Sequence, residues 1–332
     1  MPFVRGLPAP PAGISGAELH IPDGFLSLAV ALACWLLTAA LVGLAVRRTQ
    51  GELGERQVPL MGVMAAFIFA AQMINFPVAG GTSGHLLGGA LAAIALGPWA
   101  GMLVMASVVG VQALLFQDGG LLAMGANILN MGVLTALVGF GLYRSVLGRR
   151  LGLRLGAAGV AAWLSVMAGA LATALQLWLS GAASLALVIP AMLGVHALIG
   201  IGEALITVAA LAFISRTRPD LIAPEQHAAG GYGWVVASVG VTLVVLLLAP
   251  LASVDPDGLE RVAQDLGFIA RAEAPPASLL PDYTVPFLGS TPLSTIAAGA
   301  LGALAVAGAT LLLARAIRRG ERKPPRPETR PS

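Results

Sequence analysis

The sequence predicts an all-α fold, a polytopic integral membrane helix bundle. Its core has seven spans, one of them short, and two carboxy-terminal spans follow, flanking a polar loop on the outer side. Three observations predict it. Hydrophobic residues make up 57% of the 332 residues and charged residues only 11%, with a mean hydropathy of +0.87, whereas a soluble domain carries about 25% charge. Apolar runs of about 20 residues, the length that crosses a bilayer, recur along the chain. The Lys and Arg residues collect in alternate loops.

Residues 1–18 are rich in Pro and Gly and carry no usable period, which reads as a disordered extension. They are too polar and broken for the apolar stretch of a signal peptide. The first span is 25–46, closed by Arg47 and Arg48, and the second is 59–76. The run 86–116 is too long for one upright helix and short for two full ones. Gly97-Pro98 interrupts it, so it divides into a short piece, 86–96, and a longer one, 98–116. Spans at 121–143, 157–179, 187–214, 233–252 and 291–314 follow, nine in all.

Charge placement tests this division. With the amino terminus outside, the loops 47–58, 144–156, 215–232 and the tail from 315 are cytoplasmic. They hold three, four, two and seven Lys or Arg, which is sixteen of the nineteen. Basic residues favour the cytoplasmic side, so the assignment is self-consistent. A single span over 86–116 would put three of these basic segments outside. The organisation expected is therefore an extension (1–18), a membrane domain (19–218), a cytoplasmic linker (219–231), a second module with two spans (232–318) and a cytoplasmic tail (319–332).

Several function classes are excluded by what the chain lacks. Cys34 is the only cysteine, so neither an internal disulfide nor a thiolate cluster can form. There is no phosphate-binding glycine-lysine loop, so the chain shows no ATPase of its own, and no HExxH pattern. Small residues four apart, Ala29/Ala33, Ala157/Ala161, Ala168/Ala172 and Ala170/Ala174, permit close helix approach, and the 157–174 helix is a candidate for docking a membrane partner.

Two stretches carry the chemistry. His20-Ile21-Pro22-Asp23-Gly24-Phe25 precedes the first span, and Gly80-Gly81-Thr82-Ser83-Gly84-His85-Leu86-Leu87-Gly88-Gly89 lies in an outer loop. Each supplies one of only four histidines. Neutral imidazole is the commonest nitrogen donor to divalent transition metals. His20 and His85 are therefore expected to meet over such an ion at the outer face. Asn75 and Ser83 are candidates to orient the imidazoles by hydrogen bonding. His196 and Glu203 lie seven apart, on one helix face, and ionisable groups within a span turn to the bundle interior. They are expected to form a structural polar network, with transport coupling as the alternative. Asp255, Asp257 and Glu260 read as a turn and helix start rather than a cation site.

These motifs, with Asn75-Phe76-Pro77 and His196-Ala-Leu-Ile-Gly-Ile-Gly-Glu203, resemble the CbiM/NikM family over about residues 19–215. Residues 232–318, with Asp255-Pro256-Asp257-Gly258-Leu259-Glu260 and Pro281-Asp282-Tyr283, are similar to the PDGLE module that accompanies or is fused to such proteins. The resemblance implies the substrate-binding component of an energy-coupling-factor importer that captures Co²⁺ or Ni²⁺. It implies a bacterial cell membrane and, as partners, a coupling transmembrane subunit and two ATPase subunits. It implies no catalytic residue and no cofactor beyond the transported metal. It also implies a flat four-nitrogen set: a terminal amine, the amide and ring nitrogens of the histidine at the second position, and a further imidazole, here His85. An internal Leu19 has no amine, so the expected functional start is Leu19 itself, through either initiation there or removal of 1–18. The second module is expected to support loading or closure of the site. A stand-alone divalent-metal permease is the alternative, although it would want acidic relay residues in mid-span and only Glu203 qualifies. An intramembrane metalloenzyme would need a general base beside its metal, which neither histidine motif offers.

Overall fold

The computed structural model describes residues 20–50, 53–54, 57–219, 233–274 and 279–319. The expected extension, most of the linker and most of the tail lie outside these residues, as does Leu19.

Ten helices and one small hairpin position the site. They are α1 (Leu28–Thr49), α2 (Gln57–Gln72), β1 (Phe76–Val78), β2 (Thr82–Gly84) and α3 (Gly89–Leu96). Then come α4 (Pro98–Phe116), α5 (Met124–Val146), α6 (Leu151–Leu179), α7 (Leu185–Thr217), α8 (Gly233–Leu251) and α10 (Pro292–Arg319), with α9 (Gly258–Asp265) between the last two. Among the described residues, seven helices are long and apolar enough to cross a membrane, and α2 is a shorter apolar helix. Each of the nine expected apolar segments is a helix.

The break between α3 and α4 falls at Gly97-Pro98, with Gly97 at φ 87° and Pro98 opening α4. Proline belongs at a helix start because its missing N–H has no acceptor there. The α3 helix is only eight residues long and buried over Gly89–Ala95. It is sheathed by protein, so its length is not dictated by bilayer thickness. The α1 helix is the opposite case: Leu32, Leu36 and Leu37 are exposed while Ala31, Cys34 and Thr38 turn inward.

The α6 helix begins six residues earlier than the hydropathy suggests. Arg154 explains it, because its Nε and Nη2 donate to the Tyr143 hydroxyl at 3.0 and 2.8 Å, which satisfies a charged group at the end of the span. Among the small residues at four-residue spacing, Ala161, Ala170 and Ala174 are buried within this chain. They pack α6 inside the bundle rather than leaving those positions for a partner. The hairpin β1–β2 was not expected. Its antiparallel register pairs Phe76 with Gly84 and Val78 with Thr82, and it shapes the loop that carries His85.

The helical ladder is widened at two places, Gln112–Phe116 and Ile128–Leu134, where π turns replace α. Such turns concentrate at functional sites. Both flank the segment 117–127 that faces the first histidine.

Candidate metal centre

The chain from His20 to Gly24 lies against the α4–α5 connection and turns at Asp23-Gly24. Asn127 binds it on both sides: the Ile21 N–H donates to Asn127 Oδ1 at 3.0 Å, and Asn127 Nδ2 donates to the Ile21 carbonyl at 3.1 Å. The Gly120 N–H adds a bond of 3.0 Å to the same carbonyl. Gly119, at φ 91°, is required here, because a Cβ at that position would lie 2.7 Å from the Cβ of His20. The sequence that looks like a loop is therefore a backbone-bonded strap, and His20 is 2% exposed.

His85 follows β2 and is also buried. The two rings meet with centroids 5.9 Å apart and planes tilted by 43°. His20 Nδ1 donates to Asp118 Oδ1 at 2.6 Å, and His85 Nδ1 donates to the Leu86 carbonyl at 2.9 Å. Both acceptors lack a proton to give, so each ring has its proton on Nδ1, and the tautomer that goes with this bond has its lone pair on Nε2. His20 Nε2 is buried and makes no hydrogen bond. A carboxylate or carbonyl behind an imidazole is the usual support of a metal-binding histidine. An amide chelate through His20 closes on Nδ1, which here faces Asp118, so completing it requires the ring to turn about Cβ–Cγ.

A cavity of about 70 Å³ opens beside the pair, lined among others by Asn130, Met192, His196 and Asp257. By the volume one water occupies, it has room for an ion and a few waters. His196 Nδ1 donates to the Met192 carbonyl at 2.8 Å, one turn earlier in α7, which again leaves the lone pair on Nε2. Among the described residues no third His, Cys, Asp or Glu completes a ligand cluster with the pair.

Glu203 lies on the same helix but does something different from His196. Its carboxylate accepts the N–H groups of Leu87 and Gly88 at 2.6 and 3.0 Å, which pins the end of the histidine loop to α7. Gln72 holds the same turn by donating to the Leu87 carbonyl at 2.9 Å. Ser83 donates to the Asp255 carbonyl at 2.8 Å, and its N–H donates to the Pro256 carbonyl at 2.8 Å. Asn75 Oδ1 is buried without a hydrogen bond. The expected orienting role of Asn75 and Ser83 thus falls, in this geometry, to Asp118 and to the Leu86 carbonyl.

The second module roofs the centre. Asp257 caps α9 by accepting the Glu260 N–H at 2.7 Å, which makes the turn-and-helix start visible in the sequence. Burial pushes the Asp257 carboxyl up to about 6, backbone bonds partly offset this, and the charge of Asp118 raises it further. The Glu273 N–H donates to the Asp23 carbonyl at 2.9 Å. Gly24, at φ 89°, faces the Arg271 carbonyl so closely that a Cβ would sit 1.9 Å from its oxygen.

Asp118 lies outside every sequence motif, and Tyr283 lies in the Pro281-Asp282-Tyr283 stretch, which suggested no role at the site. Burial alone would raise the Asp118 carboxyl, but the charge and hydrogen bond of His20, the Tyr283 hydroxyl and His85 hold it below its usual range. Burial and the neighbouring Asp118 push the Tyr283 phenol well up, so it keeps its proton and donates. One signal was available: Asp118 is the only acidic residue between Gln57 and Gly202.

A multispan bundle that brings two buried imidazoles together beside a small cavity defines the class, a membrane protein with a candidate transition-metal site. Comparison with known proteins places it further. Residues 20–221 match the family of the cobalt uptake substrate-specific transmembrane region, CbiM, and residues 232–319 match the PDGLE domain. The chain belongs to the CbiM family, with a PDGLE domain fused behind it, and is a cobalt/nickel transport component of the membrane. It is 38% identical over 308 residues to an Archaeoglobus fulgidus protein provisionally described as a fused nickel transport protein NikMN, which covers 90% of this chain and 99% of that one. It is 33% identical over 253 residues, 72% of each chain, to the cobalt transport protein CbiM of Geobacter sulfurreducens. A solved truncated transition metal transporter aligns with a TM-score of 0.54 at 33% identity, covering 59% of this chain and 98% of that one.

Proposed function

We propose that this chain is the substrate-specific component of an energy-coupling-factor importer, taking Co²⁺ or Ni²⁺ at the outer face for uptake driven by partner ATPases. One observation carries the reading. His20 and His85 approach to 5.9 Å between ring centroids, and each donates its Nδ1 proton away from the other ring. Two buried imidazoles brought this close suit a borderline divalent ion. The set is incomplete among the described residues. A free amine at Leu19, immediately before His20, supplies the missing nitrogen when the chain begins there.

The amino terminus lies outside and the carboxy terminus inside, on the strength of the basic loops. Partners are a coupling transmembrane subunit and two ATPase subunits, since the sequence contains no nucleotide-binding motif. The second module closes the site from the outer side, through the Ser83, Asp23 and Gly24 contacts. Glu203, the acid a gradient-driven permease would need as a relay, is instead engaged with the Leu87 and Gly88 N–H groups.

Reconstitution in liposomes with the coupling and ATPase subunits tests the assignment. ATP hydrolysis should rise on adding Ni²⁺ or Co²⁺, and uptake should stop when the ATPase subunits are left out. Full uptake by this chain alone would establish the permease instead.

A further inference from the structure

A second cavity, of about 310 Å³, lies away from the histidines, where the membrane domain meets the second module. Leu60 and Phe67 of α2, Ile206 and Phe213 of α7, and Trp234 and Val241 of α8 line it, with the end of α3 behind. Ile206 and Arg218, both on its wall, are twelve residues apart, which is about 18 Å at the helical rise of about 1.5 Å per residue. Half the hydrocarbon thickness of a bilayer is about 15 Å, so the groove is as deep as one leaflet. Its walls are apolar except for Ser238 and, at one end, Thr217 and Arg218. Thr217 spends its hydroxyl on the Phe213 carbonyl at 3.1 Å, so the polar character of that end rests on Arg218. The guanidinium carbon lies 4.9 Å from the centre of the Trp234 ring. A cation and an indole at one level mark a headgroup boundary. Phe213, Ile214 and Trp234 are only half-buried, so the cavity opens sideways from the bundle.

We propose that this groove holds one acyl chain of an anionic glycerophospholipid, with the headgroup at Arg218, and that the lipid fastens α8 to the membrane domain. An apolar cavity of about 150 Å³ already stays dry and takes up a hydrocarbon guest, and this one is twice that size. Left empty, its walls forfeit dispersion contacts. The bilayer around it offers alkyl chains to restore them. A partner helix fits poorly: at about 10 Å across it fills on the order of 1,400 Å³ over that length, far more than the cavity holds. The charge at the polar end selects the headgroup, because a guanidinium matches a phosphate in shape as well as sign. The site does not depend on metal binding. Only the leaflet, the cytoplasmic one, follows from the orientation proposed above.

The test uses the full chain reconstituted in vesicles of phosphatidylglycerol or phosphatidylcholine, extracted in mild detergent and weighed by native mass spectrometry. Ala209→Trp and Ser238→Leu fill the groove from facing helices, and Leu205→Phe, on the exposed face of α7, is the control. Wild type and Leu205→Phe should retain one phosphatidylglycerol and melt higher when it is added, and both filled variants should lose the lipid and the stabilisation. Arg218→Gln should still retain a lipid, with its preference for phosphatidylglycerol over phosphatidylcholine reduced about fivefold. On the unaltered protein, phosphatidylglycerol with a photoreactive acyl end should label Phe67 or Ile206 at the deep end of the groove. No lipid retained by the wild type, equal retention by the filled variants, or labelling confined to exposed residues such as Leu205 would overturn the proposal. An unchanged headgroup preference in Arg218→Gln would overturn the contact with Arg218. Displacement of the lipid by the coupling subunit, together with failure of that subunit to bind the filled variants, would overturn it too, by making the groove a subunit interface.

Discussion

Glu203→Gln is the substitution whose cost the structure sets most directly. The carboxylate is fully buried and accepts two main-chain N–H groups, from Leu87 through Oε2 at 2.6 Å and from Gly88 through Oε1 at 3.0 Å. Glutamine has the same shape but one acceptor oxygen. One N–H keeps a neutral bond, and the other meets an NH₂ group that can only donate. A charge-assisted bond contributes about 1.5–3 kcal/mol, and a buried donor left unmade costs about 1–3 kcal/mol. With partial relaxation, a net loss of about 2–3 kcal/mol is expected, concentrated in the loop that presents His85. If metal binding must restore that loop, the same energy raises the Kd by about 30- to 150-fold. Thermal unfolding of the detergent-solubilised protein with and without Ni²⁺ measures both parts. A variant that melts and binds like wild type would refute the reasoning, since Glu203 would then not be holding the loop.

Three other outcomes follow from the geometry. Gly119→Ala places a methyl group 2.7 Å from the His20 Cβ and 2.8 Å from Asn127 Nδ2 at φ 91°; it should raise the Ni²⁺ Kd at least about tenfold by calorimetry, since the left-handed backbone alone costs about 1–2 kcal/mol, while Gly110→Ala, where a Cβ meets nothing within 4 Å, should bind normally. Asp257 ionises near 6 in the folded protein against 3.8 for the free group; the folded state therefore binds more protons in that window, and metal-free stability should fall as pH rises through it, by at most about 3 kcal/mol. Asp257→Asn, an equally good helix cap, should flatten that part of the melting profile, and an unchanged slope would show that Asp257 is not the group responsible. Intact-mass measurement of the native protein should find a chain beginning at residue 19, whereas tight metal binding by a chain still carrying Met1 would dispose of the Leu19 amine as a ligand.

The membrane bundle was legible in the sequence because length and hydropathy decide spans almost alone in lipid. The stretch 86–116 divides at Gly97-Pro98 as expected, since that pair ends one helix and opens the next. Helix ends were less legible: α6 extends to Leu151 because Arg154 finds the Tyr143 hydroxyl, a tertiary bond that hydropathy cannot foresee. His20 and His85 stood out because each sits in a motif that apolarity does not require. Their supports did not. Adjacency points to Asn75 and Ser83, yet the buried bonds run to Asp118, 98 residues from His20, and onward to Tyr283. The spacing of His196 and Glu203 points to a shared polar network, but the partners of Glu203 are backbone N–H groups, which leave no trace in residue identity. A polar group that must be satisfied inside a bundle finds its partner by proximity in space, and sequence spacing carries little of that.

The central claim is that His20 and His85 together hold the transported ion. Titration of the purified full chain with Ni²⁺ and Co²⁺, beside His20→Ala and His85→Ala, tests it most directly. The account predicts tight binding by the wild type and loss of it in both variants, each remaining folded and membrane-inserted. Wild-type affinity in His85→Ala would contradict it.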